Sequence, residues 1–323
     1  VRVALAGLGG AAFGGHLPAL LRLQEDRLIT LVAAADPDAS RRDAAARVLR
    51  RLPLFASAEE MLASAASDVL VIAAGPGSHA PLVALGAAHR QHVVCEKPLT
   101  LTHAQHRMVA DALADQAGLG LIPVHQYRYS PAWRFLCWWG RLADRLGLPF
   151  LFDADIRRNG SDRTAATAWR ADAAASGGML ADHGVHFLAL AWTISRDIEP
   201  LAAVRRPDGE GERAAAHLRL GSGRMRVRLS STSPGRSTRL DLRCSGLSLS
   251  WHDSSAAVLL HGRSLGRRPT AAISDRGHVN TLYASLYRDL VAWLAEPRWR
   301  FLRTAEALTV NRALVSLLER DSR

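Results

Sequence analysis

Val1-Arg2-Val3-Ala4-Leu5-Ala6-Gly7-Leu8-Gly9-Gly10-Ala11-Ala12 is the stretch on which the fold turns. Its apolar opening, residues 1–6, predicts a buried strand. The strand runs into a G-x-G-x-x-A turn, Gly7 to Ala12, and then into a helical segment containing residues 16–23. One glycine permits the tight turn and another lets the backbone approach a pyrophosphate, which then sits at the positive end of the helix. Position after a first strand and before a helix distinguishes such a turn from an ordinary glycine-rich loop. Gly7, Gly9, Ala12 and Phe13 are therefore expected to bind a dinucleotide.

Working outward, apolar runs at residues 28–35, 68–74, 92–95 and 118–124 alternate with helix-length segments. That rhythm predicts an α/β fold with a doubly wound parallel sheet over residues 1–125. Past residue 125 the pattern changes. A helical stretch at 131–146 carries Trp133, Trp138 and Trp139, and residues 224–229, 240–244 and 247–251 then alternate apolar and polar side chains. A half-buried antiparallel sheet is expected there, in a second domain over 126–323. Two amphipathic helices, 281–295 and 304–318, close the chain, and the Arg/Gly/Glu stretch 205–213 reads as a linker.

Length and composition agree, since 323 residues with 48% apolar content can bury two cores. A net charge of +11 raises nucleic acid or an anionic membrane as partners. Of the 41 basic residues, however, 40 are Arg, scattered singly or in pairs such as Arg41-Arg42. That is the mark of a GC-rich genome rather than of a basic binding face, so no nucleic-acid and no membrane partner is expected. No apolar run is long enough to span a bilayer, and no signal peptide is visible. Cys95, Cys137 and Cys244 are odd in number and widely spaced. They fit neither a disulfide framework nor a zinc site, so no metal and a reducing cytoplasm are expected.

Three features carry chemistry. The second strand ends in Ala35-Asp36, where a carboxylate would hydrogen-bond ribose hydroxyls and repel a 2′-phosphate, favouring NAD over NADP. Arg41 and Arg42 argue the other way, and a plain turn aspartate in Asp36-Pro37-Asp38 is the structural alternative. In Cys95-Glu96-Lys97-Pro98 stands the only lysine of the chain, at the carboxyl end of a predicted parallel strand. Lysine is a compact point donor that arginine cannot imitate, so a survivor beside 40 arginines is either accidental or chemically irreplaceable, and its place at the strand's carboxyl end favours a functional Lys97. In Gly177-Gly178-Met179-Leu180-Ala181-Asp182-His183-Gly184-Val185-His186, Asp182 and His186 are four apart and are expected on one helical face, with His183 pointing elsewhere. A carboxylate beside an imidazole suits proton transfer near neutral pH, whereas a helix-start carboxylate with a core histidine is the structural reading.

Together these motifs resemble the Gfo/Idh/MocA oxidoreductases over essentially the whole chain. The resemblance rests on Gly7-x-Gly9 followed by His16-Leu17-Pro18, the segment 68–79, Glu96-Lys97-Pro98, residues 128–131, and Gly177-Gly178 with Asp182 and His186. It implies a Rossmann domain joined to an α/β domain whose large, open, mainly antiparallel sheet forms a homodimer or a higher homo-oligomer. It implies NAD as cofactor, with NADP as the variant, bound also by Pro76, His79, Glu96 and Lys97. Lys97, Asp182 and His186 would meet beside the nicotinamide, His186 exchanging the hydroxyl proton, Asp182 tuning it and Lys97 stabilising the developing alkoxide. Arg128 and Arg170 would add to the substrate site, with Arg157, Arg158 and Arg163 as further cations favouring a carboxylate or phosphate on the substrate. The expected activity is hydride transfer to or from a secondary alcohol of a sugar, cyclitol or related polyol. A redox-neutral epimerase, lyase or hydrolase, or a non-catalytic dinucleotide sensor, are the alternatives among similar proteins. The segment Gly75-Pro76-Gly77-Ser78-His79 departs from the usual Thr-Pro pair at Gly75.

Overall fold

The computed structural model describes residues 1–116, 118–159, 173–209, 211–253, 255–261, 263–269 and 276–320. The chain divides into two compact units, the first formed by residues 1–124 and 280–308, the second by 125–279 and 309–323. A linear division at residue 125 did not include the return of 280–308 to the first unit.

In the first unit, β1 (Arg2–Ala6), β2 (Thr30–Ala35), β3 (Leu54–Phe55), β4 (Val69–Ile72), β5 (His92–Cys95) and β6 (Leu121–Pro123) alternate with α1 (Leu17–Glu25), α2 (Ala39–Val48), α3 (Ala58–Ser64), α4 (His79–Ala88) and α5 (His103–Ala114). The strands make one parallel sheet in the order β3-β2-β1-β4-β5-β6. The sequence runs outward from β1 in both directions, so the switch point lies between β1 and β4, where open α/β sheets bind ligands at the strands' carboxyl ends. Every residue of β4 is buried, as are Val3, Ala4 and Leu5 of β1, which is why these strands read as continuous apolar runs. Asp38, Ser57 and Thr102 cap α2, α3 and α5 by accepting from the amides of Ser40, Glu60 and Gln105.

The second unit holds α6 (Pro131–Arg145), β7 (Phe150–Arg157), α7 (Ala173–Ser176), α8 (Val185–Ile194), and then β8 (Ile198–Asp208), β9 (Gly211–Leu220), β10 (Gly223–Ser230), β11 (Ser237–Cys244), β12 (Leu247–His252), β13 (Ser255–Leu260) and β14 (Arg263–Pro269). Its eight strands follow the order β14-β13-β12-β11-β7-β10-β9-β8, with β7 parallel to β10 and every other pair antiparallel. The inward row includes Phe152, Ala154, Ile156, Met225, Val227, Leu229, Leu240, Leu242, Leu249 and Trp251, all buried. On the outward face, Arg226 reaches Asp153 with both ends of its fork, at 2.6 and 2.9 Å, and Arg239 reaches Asp241 at 2.8 Å. That face is polar. Where a linker was expected at 205–213, residues 205–208 and 211–213 belong instead to a hairpin of β8 with β9, Asp208 paired with Gly211. At the chain end, α9 (Arg276–Ala295) and α10 (Pro297–Arg320) extend beyond both expected helices.

Candidate functional site

The glycine turn follows from what a side chain would meet. Gly7 has φ +98°, and a Cβ there would lie 2.7 to 2.8 Å from backbone atoms of Ala73 and Ala74, just past β4. The switch point thus demands glycine on both conformational and steric grounds. Gly10 and Gly14 have nothing within 4 Å of such an atom, and Gly9 only the Arg41 guanidinium at 3.8 Å. The turn is an open backbone cradle that side chains would fill. Helical turns start at Gly10 and run to Glu25, with a widened π-turn at Ala12–His16 that has neither a side-chain cap nor an acidic residue. Ala12 is buried, Phe13 is half-buried, and the Phe13 amide donates to the Gly9 carbonyl at 3.1 Å. An uncapped helix start facing open backbone fits a dinucleotide pyrophosphate.

Asp36 is only 2% exposed. Its Oδ2 accepts from the Leu8 amide at 2.7 Å and its Oδ1 from the Asp38 amide at 2.9 Å. The carboxylate therefore braces the glycine turn from the end of β2. Arg41, 44% exposed in its side chain, brings Nη1 to 3.6 Å from Asp36 Oδ2, whereas Arg42 donates to the carbonyls of Asp36 and Pro37. A cation thus stands at the edge where a ribose 2′ substituent is read.

At the ends of β4 and β5, Pro76 starts a short turn into α4, and His79 is fully buried. The His79 ring nitrogens lie 2.8 Å from the Pro98 carbonyl and 3.0 Å from that of Ala74, and burial pushes its pKa down. His79 ties the β4 loop to the segment holding Lys97. Lys97 is half-buried, and its amide donates to Glu96 Oε2 at 3.0 Å. Burial works to raise the Glu96 pKa, but the hydrogen bond and charge of His16, the Lys97 charge and the Tyr283 hydroxyl outweigh it and hold Glu96 at about 2.

In the second unit, Gly177 and Gly178 have φ of +71° and +67°, and a Cβ on Gly178 would lie 2.3 Å from Glu212 Oε2. The Glu212 carboxylate accepts from the Met179 amide at 2.7 Å, and the Glu212 amide donates to Ser231 Oγ at 2.8 Å. The double glycine lets the chain turn tightly over that carboxylate. A π-turn, Leu180–Gly184, follows and carries Asp182. Because a π-turn closes i to i+5, an α-helical i, i+4 spacing no longer fixes which side chains share a face. His183, expected to point away, has Nε2 3.6 Å from Asp182 Oδ2. His186 lies in α8, 3% exposed, its ring tilted 35° against Tyr127 at 4.2 Å between centroids. Tyr127 also touches Trp133, which packs on Phe187. Sequence reasoning missed Tyr127 and Glu212, although Tyr127 stands directly before the Arg128 it singled out.

Arg128 occupies the short turn Gln126–Tyr129, half-buried. Arg158 is buried and donates to the carbonyls of Arg157 and Ser237 and to Thr238 Oγ1, and Arg157 is 3.2 Å from Asp155. These two arginines serve the sheet. Arg163 and Arg170 lie outside the described residues. Among the described residues, no group of three or more His, Cys, Asp or Glu is placed to hold a metal ion, and no helix is long and apolar enough to cross a membrane.

Comparison with known proteins follows this division. Residues 1–122 match the Gfo/Idh/MocA oxidoreductase family, NAD-binding Rossmann fold, and residues 142–250 match the Gfo/Idh/MocA C-terminal domain. A D-apiose dehydrogenase of Paraburkholderia graminis is 33% identical over 102 residues, 32% of this chain and 27% of that protein. A D-xylose 1-dehydrogenase (NADP(+)) 2 of Haloferax volcanii is 31% identical over 127 residues, 39% of this chain and 38% of that protein. The chain thus matches well under half the length of either relative. An oxidoreductase from Agrobacterium radiobacter, solved with NAD+, L-tartaric acid and magnesium, has a TM-score of 0.81 over 100% of this chain and 96% of that one, at 18% identity. At that identity the likeness is one of fold.

Proposed function

We propose, for a chain that belongs to the Gfo/Idh/MocA oxidoreductases with their NAD-binding Rossmann fold, that it oxidises or reduces a secondary alcohol or ketone of a sugar, cyclitol or related polyol. The single observation that carries this reading is Lys97. The one lysine beside 40 arginines stands just past β5, on the edge where α/β sheets bind ligands. Two sugar dehydrogenases among the relatives support the substrate class.

The bound nicotinamide supplies the hydride donor or acceptor. The rest falls to this chain's side chains. Gly7, Gly9 and Gly10 admit the pyrophosphate to the uncapped helix start. Lys97 donates from Nζ to the reacting oxygen and stabilises alkoxide character as it develops. His186 takes the hydroxyl proton in oxidation and returns it in reduction, and Asp182 orients the imidazole chemistry, with His183 within reach of the same carboxylate. Tyr127 holds the His186 ring by stacking, so its plane is set by packing. Arg128 and Arg170 bind the substrate's polar groups. NAD is the cofactor, and Arg41 lets NADP enter as well; the D-xylose relative is named for NADP.

The test is a panel of neutral, phosphorylated, acidic and nucleotide-linked sugars and polyols incubated with NAD. Absorbance of the reduced nicotinamide is the expected result. Silence across the whole panel in both directions contradicts the reading.

A further inference from the structure

Within the first unit, a buried polar cluster reaches Lys97 from behind. Tyr283 and Tyr287 are four residues apart on α9, so they share a face. The Tyr283 hydroxyl donates to Glu96 Oε1 at 2.5 Å, and the Tyr287 hydroxyl contacts His16 Nδ1. His16 Nε2 lies 3.1 Å from the same Glu96 Oε1, and Glu96 Oε2 accepts the Lys97 amide. His16 and Tyr287 are fully buried, and Glu96 and Tyr283 are 5% and 6% exposed. An ionised carboxylate accepts only, so His16 Nε2 donates to Glu96, while its Nδ1 meets the Tyr287 hydroxyl. Burial, with Glu96 nearby, pushes the Tyr287 pKa well up and keeps the phenol protonated. One hydrogen-bonded chain therefore runs from α9 through the start of α1 to the Lys97 backbone.

The packing has the same direction. A Cβ on Gly15 would lie 2.8 Å from the Tyr283 ring, so glycine is what allows that ring against the helix start. The His16 ring sits edge-on to both tyrosines, with centroids 5.0 and 5.8 Å away. Neither the glycine cradle nor the alcohol chemistry requires two tyrosines from the far end of the chain.

We propose that His16, Tyr283 and Tyr287 are positioning residues that lock Glu96 and, through it, the backbone of Lys97, so that α9 sets where the lysine presents its ammonium. The proposal rests on the reading of Lys97 as the oxygen-binding residue, where misplacement by even about 1 Å can cost on the order of 10²-fold. Glu96 is faced by His16 from the helix start, by Lys97 from the β5 end, and by Tyr283 and Tyr287 from α9, and its charge is felt by His79 on α4 and by Cys95. Loss of the His16 and Tyr283 donors leaves burial as the dominant influence. The carboxyl then moves above its ordinary value of about 4.3 and takes up a proton in the working range.

A chain with one lysine makes this directly visible. Reductive methylation of the full chain with 13C-formaldehyde places a dimethyl probe on Lys97, and a Lys97→Arg protein identifies the signal by losing it. From pH 4 to 7 the native signal is expected to show no inflection from Glu96. His16→Leu with Tyr283→Phe is expected to introduce one, to lose it when Glu96→Gln is added, and to make the methyl groups relax as those of a more mobile side chain. Tyr283→Phe alone, which keeps the ring against Gly15, is expected to give the same change in smaller degree if the double variant does not fold. A flat titration or unchanged methyl relaxation overturns the proposal. None of this requires turnover, so a Lys97→Met protein with full activity on the sugar panel would overturn the proposed function and leave the network standing.

Discussion

Replacing Gly7 by alanine tests whether the switch point is built as described. The added Cβ falls 2.7 Å from Ala73 C, 2.7 Å from Ala74 N and 2.8 Å from Ala73 O, all backbone atoms between β4 and the turn at Pro76. None is the far end of a flexible side chain, so relief requires the two strand ends to separate. Overpacking of this kind costs about 1–3 kcal/mol. The φ of +98° adds roughly 1–3 kcal/mol for a residue that carries a Cβ. The sum, about 2–6 kcal/mol, is a large share of the ~5–15 kcal/mol that holds a native protein together. At roughly 2–4 °C per kcal/mol for a domain of 150–250 residues, Tm should fall by about 4–24 °C. NAD affinity should fall with it, because the displaced backbone is the one that meets the pyrophosphate. Gly10→Ala is the control for stability alone, since nothing lies within 4 Å of its added atom. Thermal melts with and without NAD, read by circular dichroism, decide the matter. A Gly7→Ala protein with native Tm and native NAD binding refutes the reasoning.

Two other outcomes follow from the site. Arg41→Ala should weaken NADP binding by about 10- to 10²-fold, the worth of one charge-assisted contact at about 1.5–3 kcal/mol, while leaving NAD within a few-fold; titration of both cofactors by Trp fluorescence checks it, and equal losses would remove Arg41 from the 2′ position. His186→Ala should lower turnover by about 10²- to 10⁴-fold with NAD affinity kept, and the deficit should narrow at high pH as solvent base replaces the imidazole in oxidation; rates near the native value at neutral pH would return His186 to the core.

The parallel half of the fold was legible because its strands carry buried apolar runs on both faces, and β5 emerged with the bounds read from the sequence, His92–Cys95. The β8–β9 hairpin was not. β8 lies at the sheet edge and holds Pro200 and Pro207, which lack an amide hydrogen and are tolerated there, and its burial pattern alternates poorly. Its Arg and Gly content then passed for a linker. At the site, Lys97 stood out by composition, whereas Gly7 and the double glycine were readable because a positive φ constrains the residue type at each. Tyr283 and Tyr287 were not, because their partners Glu96 and His16 lie 187 and 271 residues away along the chain, and nothing local to α9 marks its tyrosines from ordinary core. Asp36 was placed correctly at the end of β2, but the amides of Leu8 and Asp38 engage its carboxylate, an occupation that spacing alone does not reveal.

The measurement closest to the central claim is the rate of hydride transfer by Lys97→Arg and Lys97→Met proteins, each shown to be folded and to bind NAD. If Lys97 acts as a compact donor aimed at the reacting oxygen, the longer planar guanidinium displaces the substrate, and both variants should lose on the order of 10²-fold or more. A Lys97→Arg protein active within a few-fold of native, beside an inactive Lys97→Met, would show that positive charge alone suffices and contradict the account of the lone lysine.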